Sequence, residues 1–285
     1  MDGKETPLQV LIAGCGYVGT ALGLELAAQG DTVWGLRRNA GKLPSPIRPV
    51  AADLLADRLE DVLPQVDRVV YAAAADGPRE DAYRRAYVEG PGRLLAALTA
   101  RGDPVERFIF VSSTAVYGDA GGGWVDEATP CIPENFRGST VLEGEEAVLA
   151  SSISGLVLRL GGIYGPGRTR LLDRVREGKA RCPGDGPIWS NRIHREDCAG
   201  ALGHLLRLQE PHPVYLGVDD APTPLCQVYR ELAGMLDAPE PQVDPASTRD
   251  RSNKRCSNRR LRESGYHFRF PTFREGYRAL VESGA

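Results

Sequence analysis

LQVLIAGCGYVGTALGLELAAQG, residues 8–30, is the stretch that decides the architecture. Its first seven residues are an apolar run ending in glycine, which predicts a buried strand. TALGLELAAQG, residues 20–30, carries apolar residues at helical spacing and stops at Gly30. Between the two lie Gly14, Gly16 and Gly19 in the pattern G-x-G-x-x-G. That pattern gains meaning from a strand running into it and a helix leading out. The first glycine permits a tight turn, and the second lets backbone N–H groups approach a pyrophosphate. The third lets helix and strand pack closely, with the anion on the helix N-terminus. A dinucleotide is therefore expected at Gly14, Gly16, Tyr17, Val18 and Gly19.

Outward from this loop the same alternation continues. DTVWGLRR (31–38), IRPVAADL (47–54), DRVVYAAAA (67–75), VERFIFVSSTAVYG (105–118) and ISGLVLRLGGIYGPG (153–167) read as strands. EDAYRRAYVEGPGRLLAALTARG (80–102) and STVLEGEEAVLASS (139–152) read as helices, the first bent or restarted at Gly90-Pro91. Continuous apolar strands alternating with helices predict an α/β fold, a Rossmann-type doubly wound parallel sheet. Past residue 166 the periodicity becomes irregular, apart from a helix at 195–208 and a strand at 213–220. The expected division is a nucleotide-binding domain over 1–165, with 195–220 returning to it. Residues 166–194 and 221–285 would form a small substrate lobe.

The second strand ends in VWGLRRN, with no acid to bond a ribose 2′-OH. Arg37 and Arg38 stand there instead, and a guanidinium offers paired donors to phosphate. The expected cofactor is NADP, with NAD the alternative.

Charge and composition narrow the partners. The chain has 285 residues, 42% hydrophobic and 26% charged, with a net charge of -3. That balance predicts neither nucleic-acid nor membrane binding. The basic tail RDRSNKRCSNRR (249–260) is read as a solvated surface. The six cysteines show no C-x-x-C spacing, so no metal site is expected. Reduced thiols and a cytoplasmic location are the reading, and the N-terminus has no signal-peptide pattern.

Together these motifs resemble the short-chain dehydrogenase/reductase superfamily, most closely its extended, NAD-dependent epimerase/dehydratase-like branch. GCGYVG is similar to the cofactor loop, and ADLLA matches a segment that implies Asp53 and Leu54 near the adenine. VVYAAA is similar to the strand end that lets the cofactor lie flat over Ala72, Ala73 and Ala74. VSSTAVYG implies Ser113 as the catalytic hydroxyl, polarising a substrate oxygen. RLGGIYGPG matches the segment that lines the nicotinamide side. NRIHREDCAGAL implies a substrate-facing Arg192 and a helix-starting Asp197. The resemblance also implies a homodimer, formed by the helices flanking the fifth strand.

One segment departs from the pattern. The superfamily's proton donor is the Tyr of Tyr-x-x-x-Lys, and in PENFRGST (133–140) Phe136 stands for that Tyr and Thr140 for that Lys. Lysine occurs only at positions 4, 42, 179 and 254, so no shift of register restores the pair. The chain thus resembles a branch that lacks it. Tyr117 and Tyr164 are the candidate substitute phenols. His194 reads as a structural histidine, and Glu143, Glu145 and Glu146 as a solvated helix face. Three functions stay open: an oxidoreductase or epimerase-like enzyme on a small molecule, a sensor or scaffold without turnover, and a nucleotide-sugar epimerase or dehydratase.

Overall fold

In chain order the elements are β1 (Gln9–Ala13), α1 (Tyr17–Ala28), β2 (Thr32–Arg37), β3 (Arg48–Ala51), α2 (Leu59–Val62), β4 (Arg68–Tyr71), α3 (Glu80–Arg84) and α4 (Gly90–Arg101). There follow β5 (Arg107–Ser113), β6 (Trp124–Val125), α5 (Phe136–Leu149), β7 (Gly155–Leu160), β8 (Gly162–Tyr164), α6 (Arg170–Arg176), β9 (Arg181–Cys182), β10 (Trp189–Ser190) and β11 (Arg192–His194). The last are α7 (Arg195–Arg207), β12 (Val214–Gly217), β13 (Thr223–Pro224), α8 (Leu225–Leu236), β14 (Gln242–Val243), β15 (Arg255–Cys256), α9 (Arg259–Glu263) and α10 (Phe273–Glu282). This computed structural model describes residues 6–184, 186–244, 246 and 252–284. The first three residues of the basic tail, 249–251, lie outside the described residues.

Seven strands form the central sheet in the order β12-β7-β5-β4-β1-β2-β3. β3, β2, β1, β4 and β5 pair in parallel along this order. Val10, Leu11, Ile12, Val69, Val70, Phe108, Ile109 and Phe110 are fully buried, as an apolar sheet covered on both faces requires. The chain moves from β1 outward to β2 and β3, then returns to β4 on the other side of β1. The order therefore reverses at β1 and β4, and their carboxyl ends open the crevice where such sheets bind ligands.

The chain divides into two compact units. The first holds residues 1–113, 135–159 and 199–214. Its long helical segment is continuous. Residues 85–89 form a π-helical turn between α3 and α4, and Gly90 opens α4 with Pro91 at its first turn. α5 starts earlier than its periodicity suggested, at Phe136, because the Asn135 side chain accepts from the N–H groups of Arg137 and Gly138.

The second unit holds residues 114–134, 160–198 and 215–285. It is built on short strand pairs, β8 with β11, β10 with β13, β9 with β14 and β6 with β15. Its core joins Tyr164, Leu172, Val228, Leu232, Phe273 and Tyr277. Here the cysteine reading needs correction. Cys182 and Cys226 are disulfide-bonded, with Cα atoms 4.8 Å apart. Forty-four residues separate them, so spacing along the chain gave no sign of the pair.

Candidate functional site

At the sheet's reversal point the glycine loop folds onto the end of β4. Gly14 adopts φ +85, and its N–H and that of Cys15 both donate to the Leu36 carbonyl. A Cβ on Gly14 would lie 2.2 Å from the Ala73 nitrogen, so glycine is required twice, by conformation and by contact. A Cβ on Gly19 would lie 2.8 Å from Ile12 Cγ2, which is the close packing of helix on strand. Gly16 differs from both. Its φ is ordinary, and a Cβ there would meet nothing nearer than the Gly14 carbonyl oxygen at 3.8 Å. Packing within the protein does not demand a glycine at that position. What a side chain would fill is the cradle in front of α1, whose first turn has no side-chain cap and no acidic residue. Val18 is buried and Tyr17 half-buried at this helix start.

The other expected residues of the first unit differ in their surroundings. Arg37 is half-buried and donates from Nη1 to the Cys15 carbonyl at 3.3 Å. Arg38 forms an exposed ion pair with Asp76 at 2.8 Å. Asp53 turns its carboxylate onto the Leu55 N–H at 2.9 Å, and Leu54 beside it is half-buried. Ala72 and Ala73 are half-buried and Ala74 exposed, a small-residue shelf directly beside the loop. Ser113 ends β5 and is half-buried.

The helix following PENFRGST carries a different surprise. Glu145, expected on a solvated face, is 1% exposed. Arg159 grips it from Nε at 3.0 Å and Nη2 at 2.6 Å, and Ser112 Oγ donates to the same carboxylate. Thr140 is buried, Phe136 half-buried, and Glu143 is paired on the surface with Arg84.

The second unit contains its own polar cluster. Arg192 on β11 donates from Nη1 to the Tyr277 hydroxyl at 3.1 Å, while its Nε is buried without a hydrogen-bond partner among the described residues. Tyr164 on β8 stacks on Tyr277 with ring centres 4.3 Å apart, and its hydroxyl is also buried and unpartnered among the described residues. Burial drives the Tyr164 phenol well above the ordinary tyrosine range, so it is no ready proton donor. Tyr117 is equally enclosed and donates to the Asp126 carbonyl at 2.7 Å. Both candidate substitute phenols thus serve the core. His194, between Tyr164 and Phe270, accepts from the Glu196 N–H, and burial lowers its imidazole to about 4. It stays neutral and structural, as read. Asp197 accepts from Tyr266 and from the N–H groups of Arg269 and Phe270, tying the tail to the start of α7.

Sequence reading missed Asp219. It follows β12, is 2% exposed, and one carboxyl oxygen is buried without a partner among the described residues. Burial pushes its carboxyl up to about 8, against the pull of the Ala221 N–H and of Arg192. It also lines a cleft of about 510 Å³ together with Trp124, Asn258, Arg259, Arg262 and His267. The doublet VDD gave no hint that its first acid turns inward.

Comparison with known proteins agrees with this geometry. The model of the NAD dependent epimerase/dehydratase family matches residues 10–217. A 3-diazoavenalumate denitrifying reductase from a Streptomyces species is 32% identical over 264 residues, covering 84% of this chain and 85% of its own. Protein YeeZ of Escherichia coli K12 is 29% identical over 278 residues, covering 92% and 96%. Among solved structures, MoeE5 in complex with UDP-glucuronic acid and NAD superposes with a TM-score of 0.83 at 25% identity, covering 97% of this chain and 100% of MoeE5. The human epimerase family protein SDR39U1 with NADPH shares the fold, with a TM-score of 0.82 at 24% identity over 96% and 99%. The glycine loop that opens the fold and the family match that runs from β1 through β12 lead to one conclusion: the chain belongs to the NAD dependent epimerase/dehydratase family.

Proposed function

We propose that this protein is a nicotinamide-dinucleotide-dependent oxidoreductase acting on a small molecule, with NADP preferred over NAD. The observation that carries this reading is the cradle at Gly16, where nothing in the protein explains the missing side chain. The residues present fit a pyrophosphate. Gly14 and Gly19 set the turn and the packing, and the uncapped start of α1 offers backbone N–H groups to an anion. Asp53, Leu54 and the shelf Ala72–Ala74 would hold the adenosine side and the flat body of the cofactor. Arg37 and Arg38 would meet a 2′-phosphate, and no carboxylate stands at the end of β2. When bound, such a cofactor supplies or accepts hydride at its nicotinamide ring. Ser113 would then hold the substrate oxygen and Arg192 a polar group of the substrate. A reductase among the relatives supports the reaction class, and MoeE5 with UDP-glucuronic acid supports a polar, hydroxyl-bearing substrate.

A second reading rests on Phe136 and Thr140. A phenyl ring moves no proton, and the loss of a general acid typically costs ~10²–10⁴-fold in rate. Without a replacement donor the protein would bind dinucleotide as a sensor and turn nothing over. Isothermal titration with NADPH and NADH tests the main reading. Binding of NADPH more tightly than NADH is expected, and no binding of either would overturn the proposal.

A further inference from the structure

The position vacated by the usual donor is not isolated. Tyr83, on α3, meets Phe136 edge-on, with ring centres 5.6 Å apart and planes at 83°. The Arg137 guanidinium lies 6.0 Å from the centre of the Tyr83 ring and 5.8 Å from that of Phe136. Two contacts lock α3 and the π-helical turn onto α5. Arg84 grips Glu143 with two bonds of 2.8 and 2.9 Å. The Tyr87 carbonyl sits so close to α5 that a Cβ on Gly144 would come within 2.0 Å of it. The Tyr87 ring stands 5.4 Å from that of Tyr83. Tyr83 itself is half-buried, and its hydroxyl takes no hydrogen-bond partner among the described residues. Arg137 is exposed and forms no ion pair among them.

We propose that Tyr83 and Arg137 together replace the missing Tyr-x-x-x-Lys pair, Tyr83 as proton donor and Arg137 as the cation that steadies its phenolate. The inference rests on the oxidoreductase reading above. The two roles are the same as in the pair, but they are divided between α3 and α5 instead of spaced along one helix. Arginine suits the task because its guanidinium is always charged and is attracted to an aromatic ring at this range. In carbonyl reduction the substrate carbon gains hydride from the reduced dinucleotide and its C=O π bond breaks. Tyr83 passes its proton to the carbonyl oxygen, so the products are an alcohol and the oxidised dinucleotide. The phenolate left behind is held by Arg137 and regains a proton from water.

The test needs no substrate. Benzenesulfonyl fluoride reacts with phenolates, forming an S–O bond and expelling fluoride, and peptide mass spectrometry locates the sulfonate ester. In the intact protein at neutral pH, Tyr83 should label faster than the half-buried Tyr17. Arg137→Met should slow labelling of Tyr83. Arg137→Lys should restore most of it. Arg137 is exposed, so an unchanged melting temperature confirms that the variants are folded. Equal labelling of Tyr83 and Tyr17, or a Tyr83 rate indifferent to Arg137→Met, overturns the pairing. Added NADPH should protect Tyr83, and labelling at an undiminished rate under saturating NADPH also overturns it. Failure of NADPH to bind in calorimetry overturns the oxidoreductase reading itself, which separates the two failures.

Discussion

Arg159 and Glu145 form a buried ion pair, fourteen residues apart in sequence, that fastens α5 to β7. The pair is 7% and 1% exposed at its side chains, and Ser112 supplies a further donor to the carboxylate. A paired buried charge gives little net stability, but an orphaned one is costly, by roughly 3–5 kcal/mol when one partner is removed. Glu145→Gln and Arg159→Met should each lower stability in chemical denaturation by an amount in that range. The double variant should lose less than the sum, because neither charge is then stranded. Strict additivity would show that the two side chains act independently.

Asp219 predicts a pH dependence of stability with a definite sign. Its folded carboxyl titrates at about 8, whereas an unfolded aspartate ionises near ~4. Between those values the folded state holds a proton that the unfolded state has released. Stability from this group is therefore full only below about pH 4 and declines as pH rises from there toward 8, with a slope of at most about 1.4 kcal/mol per pH unit. Arg192, Asp197 and Asp220 act on the same carboxyl, so the slope belongs to the cluster. Asp219→Asn should raise stability relative to the parent by more at pH 8 than at pH 5. A constant difference across that range would mean that Asp219 is already ionised when folded.

The glycine loop and the sheet were legible because each is written in contiguous residues. A strand, a turn and a helix start need only local spacing to declare themselves. Glu145, Asp219 and Tyr83 were not legible, because their surroundings come from residues distant in the chain. On α5 the helical period could not distinguish Glu143, which meets Arg84 at the surface, from Glu145, which meets Arg159 in the core. One signal was available in Gly144. A glycine inside a helix costs about 1 kcal/mol against alanine, and here the close approach of the π-helical turn accounts for it.

Gly14 and Gly16 should respond to alanine in opposite ways. Gly14→Ala forces a methyl group against the Ala73 backbone at a positive φ, so the protein itself should be destabilised and its melting temperature lowered. Gly16→Ala meets no such obstacle, and its melting temperature should match the parent. Its methyl group would instead enter the cradle, and NADPH affinity by calorimetry should fall by at least tenfold. An affinity that survives Gly16→Ala would remove the principal support for a pyrophosphate at this loop.

On the proposed reading, Arg37 and Arg38 would make separable contributions to the choice of cofactor. Arg37 leans on the loop through the Cys15 carbonyl and is half-buried, so it is already positioned. Arg38 is held by Asp76, but both side chains are about two-thirds exposed, at 65% and 69%. Exposed pairs of this kind are worth ~0–1 kcal/mol, so Asp76 is a weak competitor for Arg38. A hydrogen bond to a charged group contributes ~1.5–3 kcal/mol, or roughly 10- to 100-fold in affinity. Arg37→Ala should weaken NADPH by a factor in that range and leave NADH nearly unchanged, since NADH has no 2′-phosphate to lose. Asp76→Asn should tighten NADPH severalfold, by freeing Arg38 and removing a negative charge from its neighbourhood. Calorimetric titrations at one fixed ionic strength decide the matter, because salt screens exposed charges of this kind. If Arg37→Ala weakens both cofactors equally, the arginine acts through the loop it supports and gives no preference for NADP.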